Sequence, residues 1–249
     1  MPQGRGIIRF GHDFTGGNGT AAALDASGIQ AFGVGTEVYG NTVDESGGIL
    51  AFATGASDND NAVLRAGPFA PRDGKMVVNA RFKYSNVDTS VFVGFSETLD
   101  PTTPVMPIEF ATGTTLTFNG TGGMVGLLYD VDATTDDFRA LMGDAAGGIS
   151  DTGALGIRAN ATLTADRWFE ATVILNEDGS AECWLGDSGH ADSNSMNKMR
   201  LIKRFSSGTL LTPTDLFFAC LIIENRSGNT RTLEIDYFEG QGGRDWRYD

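Results

Sequence analysis

The chain has 249 residues, with 32 acidic and 18 basic side chains and a formal charge of -14, a field that repels phosphate backbones and anionic lipid head groups. Hydrophobic residues make up 41%, with 34 Gly against 7 Pro, which excludes a disordered polymer and fits a turn-rich chain with a sizeable core. Nucleic acid and membrane surfaces are therefore not expected partners.

Residues 6–14, GIIRFGHDF, open with a strand and run into the glycine loop Thr15-Gly16-Gly17-Asn18-Gly19. The Ala-rich residues 20–26 have the length for one helical turn, and residues 29–39 alternate, though weakly, and are expected as one strand. Residues 49–54, ILAFAT, make a firmer strand, followed by 62–65. Pro68 and Pro71 are expected to end that strand, because Pro supplies no ladder donor.

Residues 75–97 form the centre of the pattern. Met76, Val78, Ala80, Phe82 and Tyr84 share one parity, with Lys75, Asn79, Arg81 and Lys83 on the other, which predicts a half-buried strand. Residues 90–95, SVFVGF, are apolar on both parities and suit a strand inside a packed sheet. The two read as a central antiparallel pair. Residues 98–115, with Pro101, Pro104 and Pro107, are expected to lie on the surface as an extended arm.

Residues 124–130 and 138–142 flank an acidic turn and predict a hairpin; 144–151 reads as a loop and 157–161 as a short edge strand. In 167–176, RWFEATVILN, Phe169, Ala171, Val173 and Leu175 share one face, Glu177-Asp178-Gly179 turns the chain, and 180–185 runs back. A polar loop is expected over 186–197, a strand over 199–205 and a doubly buried strand over 216–223, LFFACLII. In 230–238, TRTLEIDYF, Leu233, Ile235 and Tyr237 alternate with Thr232, Glu234 and Asp236. The result is an all-β sandwich of two antiparallel sheets. Its expected parts are an N-terminal strand and arm over 1–20, one sandwich domain over 21–239 and a tail over 240–249.

Cys183 and Cys220 sit inside strand-like runs; buried free thiols are the preferred reading and a cross-sheet disulfide the alternative. With only two distant histidines, His12 and His190, they make no zinc pattern. Asp130, Asp132, Asp136 and Asp137 at a turn tip present oxygens of the kind Ca²⁺ takes, as do Asp58, Asn59, Asp60 and Asn61. Solvated turns explain both runs more simply. Trp168, Trp184 and Trp246, with Tyr39, Tyr129 and Tyr237, suit either a sugar-stacking platform or, preferably, core and subunit contacts. The sequons at Asn18, Asn119, Asn160 and Asn225 read as chance, because the N-terminus carries no secretory signal pattern. No catalytic, cofactor-binding or metal-ligating residue is assigned.

Glu234-Ile235-Asp236-Tyr237-Phe238-Glu239 resembles the Glu-x-Asp-x-x-Glu signature of laminarinase and lichenase glucanases. Alternate carboxylates on one strand face are the groups a retaining glycosidase uses. The motif here forms the last strand, however, where it resembles the closing strand of those enzymes instead. Glu239 also falls on the other face unless a bulge intervenes.

Residues 47–64, 76–99, 125–141, 168–185 and 232–238 together resemble tailed-phage virion proteins with a concanavalin A-like jelly roll. The resemblance implies a non-enzymatic capsid decoration or cement protein on the virion surface, made in the host cytoplasm and bound to the major capsid protein. Trimers at local threefold positions would form through residues 1–9, 98–115 and 239–249. A carbohydrate-binding jelly roll is the competing expectation, and a glucanase the third.

Overall fold

The computed structural model describes residues 6–12, 14, 27–34, 38–41, 48–84, 88–135, 137–153, 168–187, 199–207 and 210–244. These form β1 (Gly6–His12), β2 (Ile29–Gly33), β3 (Val38–Asn41), β4 (Leu50–Ala53), β5 (Asn61–Phe69), β6 (Met76–Tyr84), β7 (Thr89–Ser96), β8 (Ile108–Thr112) and β9 (Thr115–Phe118). Then follow β10 (Gly123–Asp130), β11 (Arg139–Asp144), β12 (Gly148–Asp151), β13 (Phe169–Leu175), β14 (Ala181–Asp187), β15 (Arg200–Phe205), β16 (Phe217–Asn225) and β17 (Thr232–Arg244). Among the described residues there is no α-helix. The predicted helical turn at 20–26, the edge strand at 157–161, most of the loop at 186–197, and Asp136, His190 and Trp246 lie outside the described residues.

An eight-stranded sheet runs β15-β14-β13-β6-β17-β4-β3, with β1 also paired to β17, and a seven-stranded sheet runs β12-β11-β10-β7-β16-β5-β2. Their inner faces meet in one core that includes Phe52, Val78, Phe82, Phe169, Val173, Ile235 and Phe238 from the first, and Val93, Phe95, Val125, Tyr129 and Leu221 from the second. Aromatic rings interlock at one end, with centroid distances of 5.0 Å for Phe138 to Phe169 and 5.1 Å for Tyr84 to Tyr129. Each such ring taken from water contributes about 1.5–3 kcal/mol.

The expected antiparallel pair of β6 with β7 does not form. β6 lies between β13 and β17, and β7 between β10 and β16, in opposite sheets. The sequence already carries the reason. β6 is half-polar and needs cover on one face, whereas β7 is buried at every position and needs it on both. The second cover is the Pro-rich stretch expected to be an exposed arm. Leu99, Met106, Ile108 and Phe110 instead bury against Val63, Phe92, Leu128, Leu141 and Ile222 on the outer face of the seven-stranded sheet. Asn61 Nδ2 donates to Pro104 O at 2.7 Å, and Arg65, between the rings of Phe32 and Phe218, donates to Leu99 O.

Other boundaries also move. Residues 29–39 contribute β2 and β3, which belong to different sheets. β5 continues past Pro68 because Gly67 and Pro68 together stand opposite Phe218, a bulge that asks no donor of Pro. The loop expected over 144–151 is a tight turn leading into β12. The tail expected from residue 240 continues β17 to Arg244, paired with β1. Gly240 makes this pairing feasible: a Cβ there would stand 2.6 Å from Phe10 Cζ and 2.1 Å from Val77 O.

Cys183 packs in the core between the sheets and Cys220 in the outer cluster, so both are buried and free and the seven-stranded sheet lies between them.

Candidate functional site

β17 carries the acidic motif on the sheet face turned away from the core. Between Ile235 and Tyr237 its register against β6 slips by one residue, so that Ile235 opposes Phe82, Tyr237 opposes Arg81 and Glu239 opposes Asn79. A bulge at Asp236 thus puts Phe238 into the core in place of the expected Tyr237, and brings Glu234, Asp236 and Glu239 to one outer face.

Most of these carboxylates are already engaged. Lys83 Nζ lies 2.7 Å from Glu234 Oε2, and Arg81 pairs with Asp236. Trp168, 8% exposed, lies under both cations, with 4.7 Å from the Arg81 guanidinium and 5.2 Å from Lys83 Nζ to its ring centroid. Its face is therefore occupied by cation–π contacts and is not a free stacking platform. Tyr237 Oη donates to Glu170 Oε1 at 2.7 Å. Burial first, then that carboxylate, raises the Tyr237 pKa, so the phenol keeps its proton.

One row of cross-strand partners spans the face from strand to strand: Gly11, Glu239, Asn79, Thr172, Trp184 and Leu201. At the usual strand spacing, Glu239 to Trp184 covers about 14 Å. Thr172 Oγ1 donates to Asn79 Oδ1 at 2.8 Å, which turns the Asn79 amide NH₂ toward Glu239, 3.5 Å away. Trp184 is half-buried, and its Nε1 donates to Glu182 Oε2 at 3.1 Å, while Arg204 Nε donates to Glu182 Oε1 at 3.0 Å. The row therefore offers a carboxylate, an amide, a hydroxyl and an oriented indole in line.

At the Glu239 end lies a recess of about 890 Å³, lined by Arg9, Gly11, His12, Asn79, Glu239 and Gln241 among others. His12 Nδ1 accepts from Phe14 N at 2.8 Å and the imidazole stacks on Phe14. The proton of the neutral ring is thereby assigned to Nε2. Sequence reasoning overlooked this recess, because its lining comes from β1, β6 and β17, and only the ladder of β17 unites them.

The turn-tip aspartates serve another purpose. Asp130 and Asp132 converge on the buried guanidinium of Arg226, at 3.0 and 3.6 Å, together with Glu109 at 2.7 Å and Glu224 at 3.0 Å. Arg226 thus stands where a bound cation would sit among these carboxylates. Arg226 also donates to Asn59 Oδ1, and Asp60 N donates to Ser57 O at 3.1 Å while Asp60 Oδ2 accepts from Ser57 N at 2.9 Å, so residues 57–60 close a tight turn. Among the described residues no group of three or more His, Cys, Asp or Glu side chains could hold a metal ion. Asn225, in one of the sequons, is buried, and its amide donates to Ser57 O at 2.9 Å.

No protein-family model matches the sequence, and no curated protein matches it. Among solved structures, the chain is similar to SO2946, a protein of unknown function from Shewanella oneidensis MR-1, with 13% identity and TM-score 0.57 over 100% of this chain and 92% of that one. Peanut lectin is similar at 12% identity and TM-score 0.55, over 96% and 98% of the two chains. Rv0315 of Mycobacterium tuberculosis, an immunostimulatory antigen and pseudo β-1,3-glucanase, is similar at 12% identity and TM-score 0.53, over 94% and 98%. At such identities the likeness shows the fold alone, and that fold is the concanavalin A-like jelly roll. Nothing in these comparisons links the chain to tailed-phage virion proteins.

Proposed function

We propose that the protein is a carbohydrate-binding jelly roll whose outer eight-stranded face binds glycan without cleaving it. The observation that supports this most is the row from Glu239 through Asn79 and Thr172 to Trp184, which sets an acceptor, an amide, a hydroxyl and an indole along one line beside a recess. Sugar rings present apolar faces to indoles and hydroxyls to amides and carboxylates, so the row matches their two-sided chemistry. Cleavage would require a carboxylic acid and a free carboxylate at one bond. Here Lys83 and Arg81 neutralise Glu234 and Asp236, and Glu170 is engaged by Tyr237. A glycan array probed with the purified protein tests the reading: retention of neutral glycans that Trp184→Ala weakens is expected, and an array without signal sinks it.

A second reading, assembly with other copies of this chain or with a capsid shell, is favoured by β1. Its successive residues Ile7 and Ile8 are 63% and 36% exposed, so an end strand of the sheet presents apolar side chains on both faces. Light scattering of the purified protein would show a stable oligomer, lost in Ile7→Lys; a monomer at all concentrations would exclude self-assembly through this strand.

A further inference from the structure

We infer that the recess at the end of the row is the seat of a terminal, uncharged sugar unit, with Glu239 and Asn79 taking two neighbouring hydroxyls. The inference rests on the glycan-binding reading and adds to it the part of the ligand that is recognised and the residues that recognise it.

Three features of the recess carry it. First, its amide is oriented from outside: Thr172 turns the Asn79 side chain so that its NH₂ faces Glu239 before any ligand arrives. Preorganisation of this kind lowers the cost of binding. Second, Glu239 differs from its neighbours on β17. Glu234 and Asp236 meet cations, whereas among the described residues Glu239 meets the Asn79 amide in a long contact of 3.5 Å, which leaves its oxygens acceptor capacity. A carboxylate beside an amide NH₂ is an acceptor and donor pair matched to adjacent hydroxyls. Third, Gly11 faces Glu239 across the ladder, and a Cβ there would lie 2.8 Å from Glu239 Cβ. Glycine keeps the floor beside the carboxylate open.

The terminal position follows from the geometry of the row. Asn79, Thr172 and Trp184 lead away from the recess in one direction, and Arg9, Gly11 and Ser27 line it on the β1 side. A chain lying along the row meets the recess with its end. The Glu239 carboxylate, in a protein of charge -14, disfavours acidic sugars there; Arg9 at the rim is exposed and its charge is screened.

Calorimetric titration distinguishes the parts of this scheme. The probes are methyl glycosides of glucose, galactose, mannose and N-acetylglucosamine, and the corresponding neutral homo-oligosaccharides. One of the sugars should bind both as glycoside and as oligosaccharide. Glu239→Gln and Asn79→Ala should each weaken both forms roughly tenfold or more, the loss associated with a hydrogen bond to a charged or fully desolvated group. Trp184→Ala should weaken the oligosaccharide alone. Unchanged thermal unfolding of the variants would show that the fold is intact. If oligosaccharides bind through Trp184 but are indifferent to Glu239→Gln and Asn79→Ala, the recess assignment is overturned while glycan binding stands. If the unmodified protein binds none of the probes, both fall.

Discussion

Glu224 on β16 and Asn61 on β5 are direct cross-strand partners, both buried, and neither Glu224 Oε1 nor Asn61 Oδ1 has a hydrogen-bond donor. Arg226 Nη1 stands 3.0 Å from that Glu224 oxygen as an ion-pair contact without hydrogen-bond alignment. Burial, and then Glu109 and Asp130 nearby, outweigh the attraction of Arg226 and push the Glu224 carboxyl up to about 8 from an ordinary 4.5. A proton on Glu224 removes one of four negative charges converging on a single guanidinium.

The pH dependence follows from that raised value. Between about pH 4.5 and 8 the folded protein binds a proton at Glu224 that the unfolded chain has released, so this group's contribution to stability falls as pH rises through the window. Glu224→Gln keeps the shape and stays neutral. Its melting temperature should decline less than that of the parent between those limits, and parallel curves would contradict the proton assignment.

Arg226 itself should be indispensable. Arg226→Met leaves Glu109, Asp130 and Glu224 without their shared cation, and removing one partner of a buried ionic group costs about 3–5 kcal/mol. Urea denaturation at pH 7 measures the loss. It should shrink as pH falls and Asp130, whose pKa burial raises, takes up a proton.

Gly240 should resist substitution. Gly240→Val places side-chain atoms where Phe10 and the Val77 carbonyl stand, and overpacking of this kind costs about 1–3 kcal/mol. Because Phe10 anchors β1, hydrogen exchange should accelerate over residues 6–12 before the rest of the sheet. Uniform protection would show that β1 tolerates the intrusion.

Laminarin and lichenan should remain uncleaved in a reducing-sugar assay, since Glu234 and Asp236 are closed by Lys83 and Arg81. Cleavage that disappears in Glu234→Gln would establish an enzyme instead.

Cys183 and Cys220 should ignore a thiol reagent in the native state and both react once the protein is unfolded. Burial raises both thiol pKa values and blocks access. A single reactive cysteine under native conditions would place one of them at the surface.

The sandwich was legible because alternation reports burial directly: Met76 to Tyr84 and Phe169 to Leu175 show the same parity in sequence and structure. The hairpins of β10 with β11 and of β13 with β14 were legible from the turn residues between them. Partnership over longer distances was not. β6 and β7 are neighbours in sequence and belong to opposite sheets, and the run from Leu99 to Phe110 reads by its prolines as an extended surface arm although its apolar residues cover a second core.

By itself, the sequence determined which residues seek burial, and hence the all-β class and the two faces of most strands, since side-chain period is a local property of the backbone. Only the tertiary structure decided that a bulge at Asp236 turns three carboxylates to one side, that Arg226 gathers the turn-tip acids, and that Gly11, Glu239, Asn79, Thr172 and Trp184 stand in line. Those outcomes depend on register between strands far apart in the chain, where a shift of one residue exchanges inside for outside.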